Sequence, residues 1–323
     1  MAITDKLTQL NKIKQNIKQA IIDKGQAATD DMGEYSALIS NISGGGKVDD
    51  SFKNVLERNN GAVTFPSNLT SIGDYAFDSC ANTFPSSLPD GVTSIGINAF
   101  YGCSNLTLTS LPEGVTSIGS SAFSGCTNLA LTSLPEGITS IGGGAFNGCT
   151  NLALTSLPEG ITKIGGSTFE YCTNLALTSL PEGVTSIGQN AFSQCPNIAL
   201  TKLPAGVTKI DNQAFQGCKN LLLTSLPEDI TSIGTSGFAS CEKITITSIP
   251  AGVTSIGGSA FWYCYGLTTL TFKGTPNTLS SSVFNYCNNL TVINVQWAEG
   301  AVANAPWGAT NATINYNYVE GLY

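Results

Sequence analysis

The 323-residue chain contains no histidine. That excludes every Ser-His or Cys-His nucleophile pair. Charge is scarce as well: Asp, Glu, Lys and Arg make up 11% of the residues. No uninterrupted apolar run approaches the roughly 18 residues of a membrane span. The N-terminus has no apolar stretch of the secretory kind, so a chain made without export is expected. Carboxylates remain as acid–base candidates, but they occur singly at turns. The expectation is a protein without catalysis and without a cofactor.

The little charge present is unevenly placed. Residues 1–60 hold eight Lys/Arg and eight Asp/Glu; residues 61–323 hold six and fourteen, and 6 − 14 gives the whole net charge of −8. An acidic body lacks the basic footprint that phosphates require, so nucleic acid is not an expected partner.

What the chain has is a repeat. Ten cysteines, Cys80, Cys103, Cys126, Cys149, Cys172, Cys195, Cys218, Cys241, Cys264 and Cys287, are each 23 residues apart. Phe precedes each Cys by three, from Phe77 to Phe284, and Ile precedes it by eight from Ile72 to Ile256, with Leu279 in the last copy. Pro follows by nine, from Pro89 to Pro250, and Asn follows by two in eight copies. A unit copied without slippage is the signature of a solenoid, whose turns bury their apolar rows only against neighbouring turns. Each unit offers two strand candidates. Leu129–Leu134 ends at a proline that cannot donate to a ladder, and Ile138–Ile141 is β-branched and ends at Gly142. Residues 143–148 are too short for a helix and predict a tight turn or a 3₁₀ piece. Parallel pairing about 4.8 Å apart stacks the turns into a body on the order of 50 Å long.

That stacking also decides the cysteines. In-register neighbours have parallel Cβ vectors about 4.8 Å apart, whereas a disulfide needs Cβ atoms near 3.8 Å and suitably turned. A row also suits zinc poorly, because zinc takes a tetrahedron. Free, buried thiols are expected.

Residues that break the lattice are the candidates for function. Two after the lattice Phe most units carry Gly, Ser or Gln, but Tyr171, Tyr263 and Tyr286 depart from this. Trp262, Tyr265 and Tyr101 add to the set. Trp262, Tyr263, Tyr265 and Tyr286 fall in adjacent units. They form either an aromatic patch for sugar or protein or a thickening of the core toward the C-terminal end. A row of turn carboxylates, Asp90, Glu113, Glu136, Glu159, Glu182 and Glu228, is a weak calcium edge or a solvated ridge.

Ahead of the repeats, residues 3–23 carry a heptad-like stripe of Ile3, Leu7, Leu10, Ile13, Ile17, Ala20 and Ile21. The stripe predicts a helix. So short a helix needs a partner: a second helix near residues 31–42, or other copies of the chain in a homotrimer. Gly44-Gly-Gly46 reads as a linker.

The 23-residue unit resembles the BspA-like class of leucine-rich repeats, whose pattern is roughly L-x-x-I-x-I-P-x-x-V-x-x-I-x-x-x-A-F-x-x-C. The likeness covers about residues 62–293. One departure is consistent: six after Cys the family's aliphatic residue is a Thr (Thr109, Thr132, Thr155, Thr178, Thr201, Thr224, Thr247), and the aliphatic residue sits one earlier. With alternation of two, this slip predicts a bulge, and only Leu267–Phe272 returns to the usual spacing. The resemblance implies binding or adhesion. A second resemblance lies at the ends. Ile13–Gly25 with Met32–Ile42, and Val295–Tyr316, look like segments of phage tail-fibre and virion structural proteins.

The expected fold is a β-rich solenoid, a leucine-rich repeat of ten 23-residue units with a small N-terminal α-helical segment. The expected organisation is 1–43 helical attachment or oligomerisation segment, 44–61 linker and N-terminal cap, 62–293 solenoid and 294–323 C-terminal cap. The expected function is a non-enzymatic phage virion structural protein, a tail-fibre-like or decoration component, touching a host cell-surface glycan or protein, with other virion proteins bound through the N-terminal helix. The alternative is a bacterial BspA-like adhesin at the cell surface or a protein–protein interaction module.

Overall fold

The computed structural model describes residues 47–48, 63, 65 and 67–321. The predicted N-terminal helix and its stripe, Ile3 to Ile21, lie outside the described residues, as does the second helix near 31–42.

Within them the chain is a parallel β-solenoid of about eleven turns. One two-residue strand recurs in each: β1 (Lys47–Val48), β2 (Ser71–Ile72), β3 (Ser94–Ile95), β4 (Ser117–Ile118) and β5 (Ser140–Ile141). The series continues through β6 (Lys163–Ile164), β7 (Ser186–Ile187), β8 (Lys209–Ile210) and β9 (Ser232–Ile233). It closes with β11 (Ser255–Ile256) and β13 (Thr278–Leu279). Register follows the repeat, Ile72 beside Ile95 and Ile95 beside Ile118. In β2 to β9 and β11 the Ile points into the core while its Ser or Lys faces outward, and in β13 Leu279 takes the inward place.

The second predicted strand forms only at the C-terminal end, as β10 (Ser248–Ile249), β12 (Thr269–Phe272), β14 (Val292–Val295) and β15 (Thr313–Asn315). In the earlier turns Leu129–Leu134 and its equivalents are not strands, which corrects the sequence expectation. The reason is the shifted aliphatic residue. Leu131 and Leu134 are buried with both Thr132 and Ser133 outside, so alternation fails and one cross-turn bond survives, Ala130 N to Leu108 O or Ala153 N to Leu131 O. In Thr269–Phe272 the in–out alternation is intact, and a four-residue ladder with β14 follows.

The segment between strand and cysteine is a chain of tight turns. Its N–H groups bond alternately within the turn and across to the next. Ala145 donates to Gly142 and Phe146 to Thr168; Asn147 donates to Gly144 and Gly148 to Glu170. This satisfies the buried backbone without a helix.

Inside run three rows. The ten lattice phenylalanines stack with centroids 5.2–5.7 Å apart and planes within 16°. Isoleucines and leucines fill beside them. All ten cysteines are free and buried. Beyond Val295, Trp297 and Trp307 pack on Phe272 and on each other and close the core.

Candidate functional site

Every turn needs a left-handed residue just before its cysteine. Ser79, Gly102, Gly125, Gly148, Tyr171, Gln194, Gly217, Ser240, Tyr263 and Tyr286 all have φ between 55° and 76° there. The tight turn imposes this, and glycine meets it at no steric penalty. A side chain at φ > 0 costs about 1–2 kcal/mol from Cβ–carbonyl crowding, and a bulky residue in that region is uncommon. Three tyrosines nevertheless hold the position. Serine or glutamine holds it in three further turns, so the left-handed backbone belongs to the fold, and what sets the tyrosines apart is the ring each places there.

Two of the three are brought together at the C-terminal end. Tyr263 lies 4.8 Å from Tyr286, centroid to centroid, 5.7 Å from Tyr265 and 4.1 Å from Trp262. Trp262 meets Tyr286 edge-on at 6.1 Å. Tyr265 and Tyr286 are 37% and 55% exposed, while Trp262 and Tyr263 are half-buried. The cluster therefore lies on the surface. Thickening of the core toward the end falls instead to Phe272, Trp297 and Trp307. Tyr171 stands exposed on the same row, four turns away, roughly 19 Å at one strand spacing per turn. Tyr101 is exposed near the other end.

The surrounding surface is uniform. Thr93, Thr116, Thr185, Thr231 and Thr254 each turn their hydroxyl onto the carbonyl of the threonine one turn earlier, at 3.0–3.4 Å. Their donors are spent inside the ladder. The lattice asparagines are likewise structural: Asn105, Asn128, Asn197 and Asn289 donate Nδ2 to a carbonyl of the preceding turn at 2.7–2.8 Å. Among the described residues no group of three His, Cys, Asp or Glu side chains that could hold a metal ion occurs. Glu182 and Glu228 instead pair with Lys202 and Lys273 at 2.6 and 3.1 Å.

The cysteines belong to the scaffold. From Cys103 to Cys287 each thiol donates to the carbonyl of the lattice Phe 26 residues back, Cys126 to Phe100 at 2.9 Å and Cys149 to Phe123 at 3.0 Å. Burial pushes the thiols of Cys149, Cys195 and Cys287 up to about 12. For Cys126 burial is again the first cause, followed by its neighbours Cys149 and Cys103. No nucleophile results. The donor role was missed in the sequence, although a cysteine never replaced by serine or alanine in ten copies was its signal.

A stacked parallel solenoid of 23-residue turns with a Phe row and a thiol row defines a leucine-rich-repeat scaffold. The BspA type leucine-rich repeat region matches it in overlapping copies over residues 49–176, 93–222 and 168–291. The chain belongs to that family. A leucine-rich repeat protein from Bacteroides ovatus has a similar structure: 24% identity, TM-score 0.62, covering 79% of this chain and 68% of that one. A Treponema pallidum leucine-rich repeat protein is 32% identical over 61% of this chain and 82% of that one, with a TM-score of 0.42. A leucine-rich cell surface protein from Faecalibacterium prausnitzii is 24% identical over 80% of this chain and 86% of that one, at a TM-score of 0.37. No curated protein matches the chain. No helix among the described residues is long and apolar enough to cross a membrane.

Proposed function

We propose that the chain is a non-enzymatic recognition module of the adhesin kind, which displays its aromatic cluster to a partner at a bacterial surface. The observation that carries this reading is the pair Tyr263 and Tyr286. Both accept a left-handed backbone that glycine accepts in other turns, and both place a ring in the same exposed cluster. Aromatic rings give large contact area at small entropy cost, which suits a contact residue on a rigid scaffold. Family membership agrees with binding.

The phage-virion reading rests on the resemblance of the two ends together with the missing secretory stretch. Residues 13–42 lie outside the described residues, and Val295–Tyr316 supplies the closing strand and the core tryptophans. The adhesin reading is therefore preferred. It is tested with Trp262→Ala/Tyr286→Ala on mucin-coated surfaces and epithelial monolayers. Loss of adherence with an unchanged melting curve supports the cluster as the contact. Adherence equal to that of the parent chain removes it.

A further inference from the structure

Around the solenoid from the aromatic cluster, the C-terminal cap stands beside the outer face of the short strands and flanks an open groove of about 730 Å³. The volume lies in the range of small-ligand sites. Its floor is the outward side of β9, β11 and β13, where Ser232, Ser255 and Thr278 follow one another turn by turn. Its far wall is the apolar loop Ala301-Val302-Ala303, held in place by the Trp307 indole, which donates to Ala303 O at 2.8 Å. Lys209 closes one end, so the groove spans three strand spacings, roughly 14 Å.

Three features narrow the occupant. The floor cannot accept an added peptide strand. Its main chain is consumed in the ladder: Thr254 N donates to Thr231 O, Gly257 N to Ile233 O and Asn277 N to Thr254 O. β-Augmentation needs open strand groups. Second, the groove presents no unbalanced charge. Lys209 is the one titratable side chain in the lining, and its Nζ lies 2.6 Å from Asp211 Oδ1. An anionic ligand gains little there. Third, what remains is hydroxyl and amide opposite an apolar wall. Asn212 accepts the Thr235 N–H through Oδ1 at 2.9 Å, and both Asn212 and Asn304 line the groove.

We infer that this groove is a binding site for a neutral oligosaccharide, whose hydroxyl edge meets the Ser232–Ser255–Thr278 row and whose apolar C–H face lies against Ala301–Ala303. It is a site separate from the aromatic cluster and does not depend on it. A convenient blocking variant exists, because the outward strand position already carries long side chains in this fold: Lys163 and Lys209 occupy it in β6 and β8. Ser232→Gln/Ser255→Gln therefore fills the groove without disturbing the turn.

The test is a printed array of neutral and acidic glycans probed with the full chain, with each hit titrated by calorimetry as the free oligosaccharide. A neutral hit with Kd below about 1 mM is expected. It should weaken at least about tenfold in Ser232→Gln/Ser255→Gln and stay within about twofold in Tyr263→Gly/Tyr286→Gly. Several results overturn the assignment: no neutral hit, acidic hits alone, or a neutral hit indifferent to the filled groove. A hit abolished only by the tyrosine variant moves the sugar to the cluster and overturns it too. A thermal melt of the filled variant matching the parent chain shows that lost binding is not lost folding.

Discussion

At the scale of single residues, two rows carry the account. The phenylalanine row is continuous, so each ring is covered on both faces by its neighbours. Phe169, fully buried between Phe146 and Phe192, is expected to cost about 3–5 kcal/mol as Phe169→Ala, because a cavity opens that two turns line together. Chemical denaturation checks this; a loss below about 1 kcal/mol contradicts the packing. The thiol row makes a prediction in pH. Cys149 moves from 9.0 when free to about 12 when folded. The folded pKa is the higher one, so the thiol's contribution to stability is complete below pH 9. The unfolded chain ionises first, and the contribution is lost as pH climbs from 9 toward 12. Urea midpoints should be flat up to about pH 9 and fall steeply above it. At neutral pH the native chain should resist thiol-labelling reagents until it is unfolded, since thiolate is the reactive form. Rapid native labelling of all ten cysteines contradicts both the burial and the hydrogen bond.

Elements were unevenly legible. The Ile-centred strand could be read directly, because an Ile every 23 residues in a β-branched setting has one place to go. The Leu-centred strand could not. Its predicted bulge is real in burial, with Thr132 and Ser133 both outside, yet the consequence was larger than a bulge: the ladder disappears until Thr269–Phe272 restores alternation. The position before each cysteine was visible as Gly, Ser or Gln broken by three tyrosines, but its left-handed backbone was known only from the φ values. The ladder also has a weak place. It is interrupted between β5 and β6, where Gly142-Gly-Gly144 follows the strand, and β7 and β8 pair at Ile187 and Ile210 alone. Fewer cross-turn bonds and no side chains to pack lower local stability. Amide exchange at Thr162–Ile164 should therefore outpace that at Thr116–Ile118, although both lie mid-solenoid. Equal protection removes the weak place.

For the whole molecule, the architecture was legible because every turn repeats one solution, and the family pattern covered the same stretch. The groove was not legible. It needs a loop at residues 301–304 to fold over strands up to about ninety residues earlier, a juxtaposition that periodicity does not encode. The heptad stripe from Ile3 to Ile21 has two candidate partners, the second predicted helix near residues 31–42 or other copies of the chain, and the second makes a prediction. Light scattering should give a trimer for residues 1–323 and a monomer once residues 1–43 are removed; a monomeric full chain contradicts self-association through the stripe. The central claim is that Tyr263 and Tyr286 are kept for contact at the expense of an easy backbone. It is tested most directly by replacing both with the residue that other turns use. Tyr263→Gly/Tyr286→Gly relieves the left-handed strain while losing ring contacts worth about 0.5–1.5 kcal/mol each, so stability should change by no more than about 1 kcal/mol. Adherence, measured beside the melt on the same preparation, should collapse. A double variant that melts far earlier makes the rings structural. One that is stable and adheres like the parent chain contradicts the account.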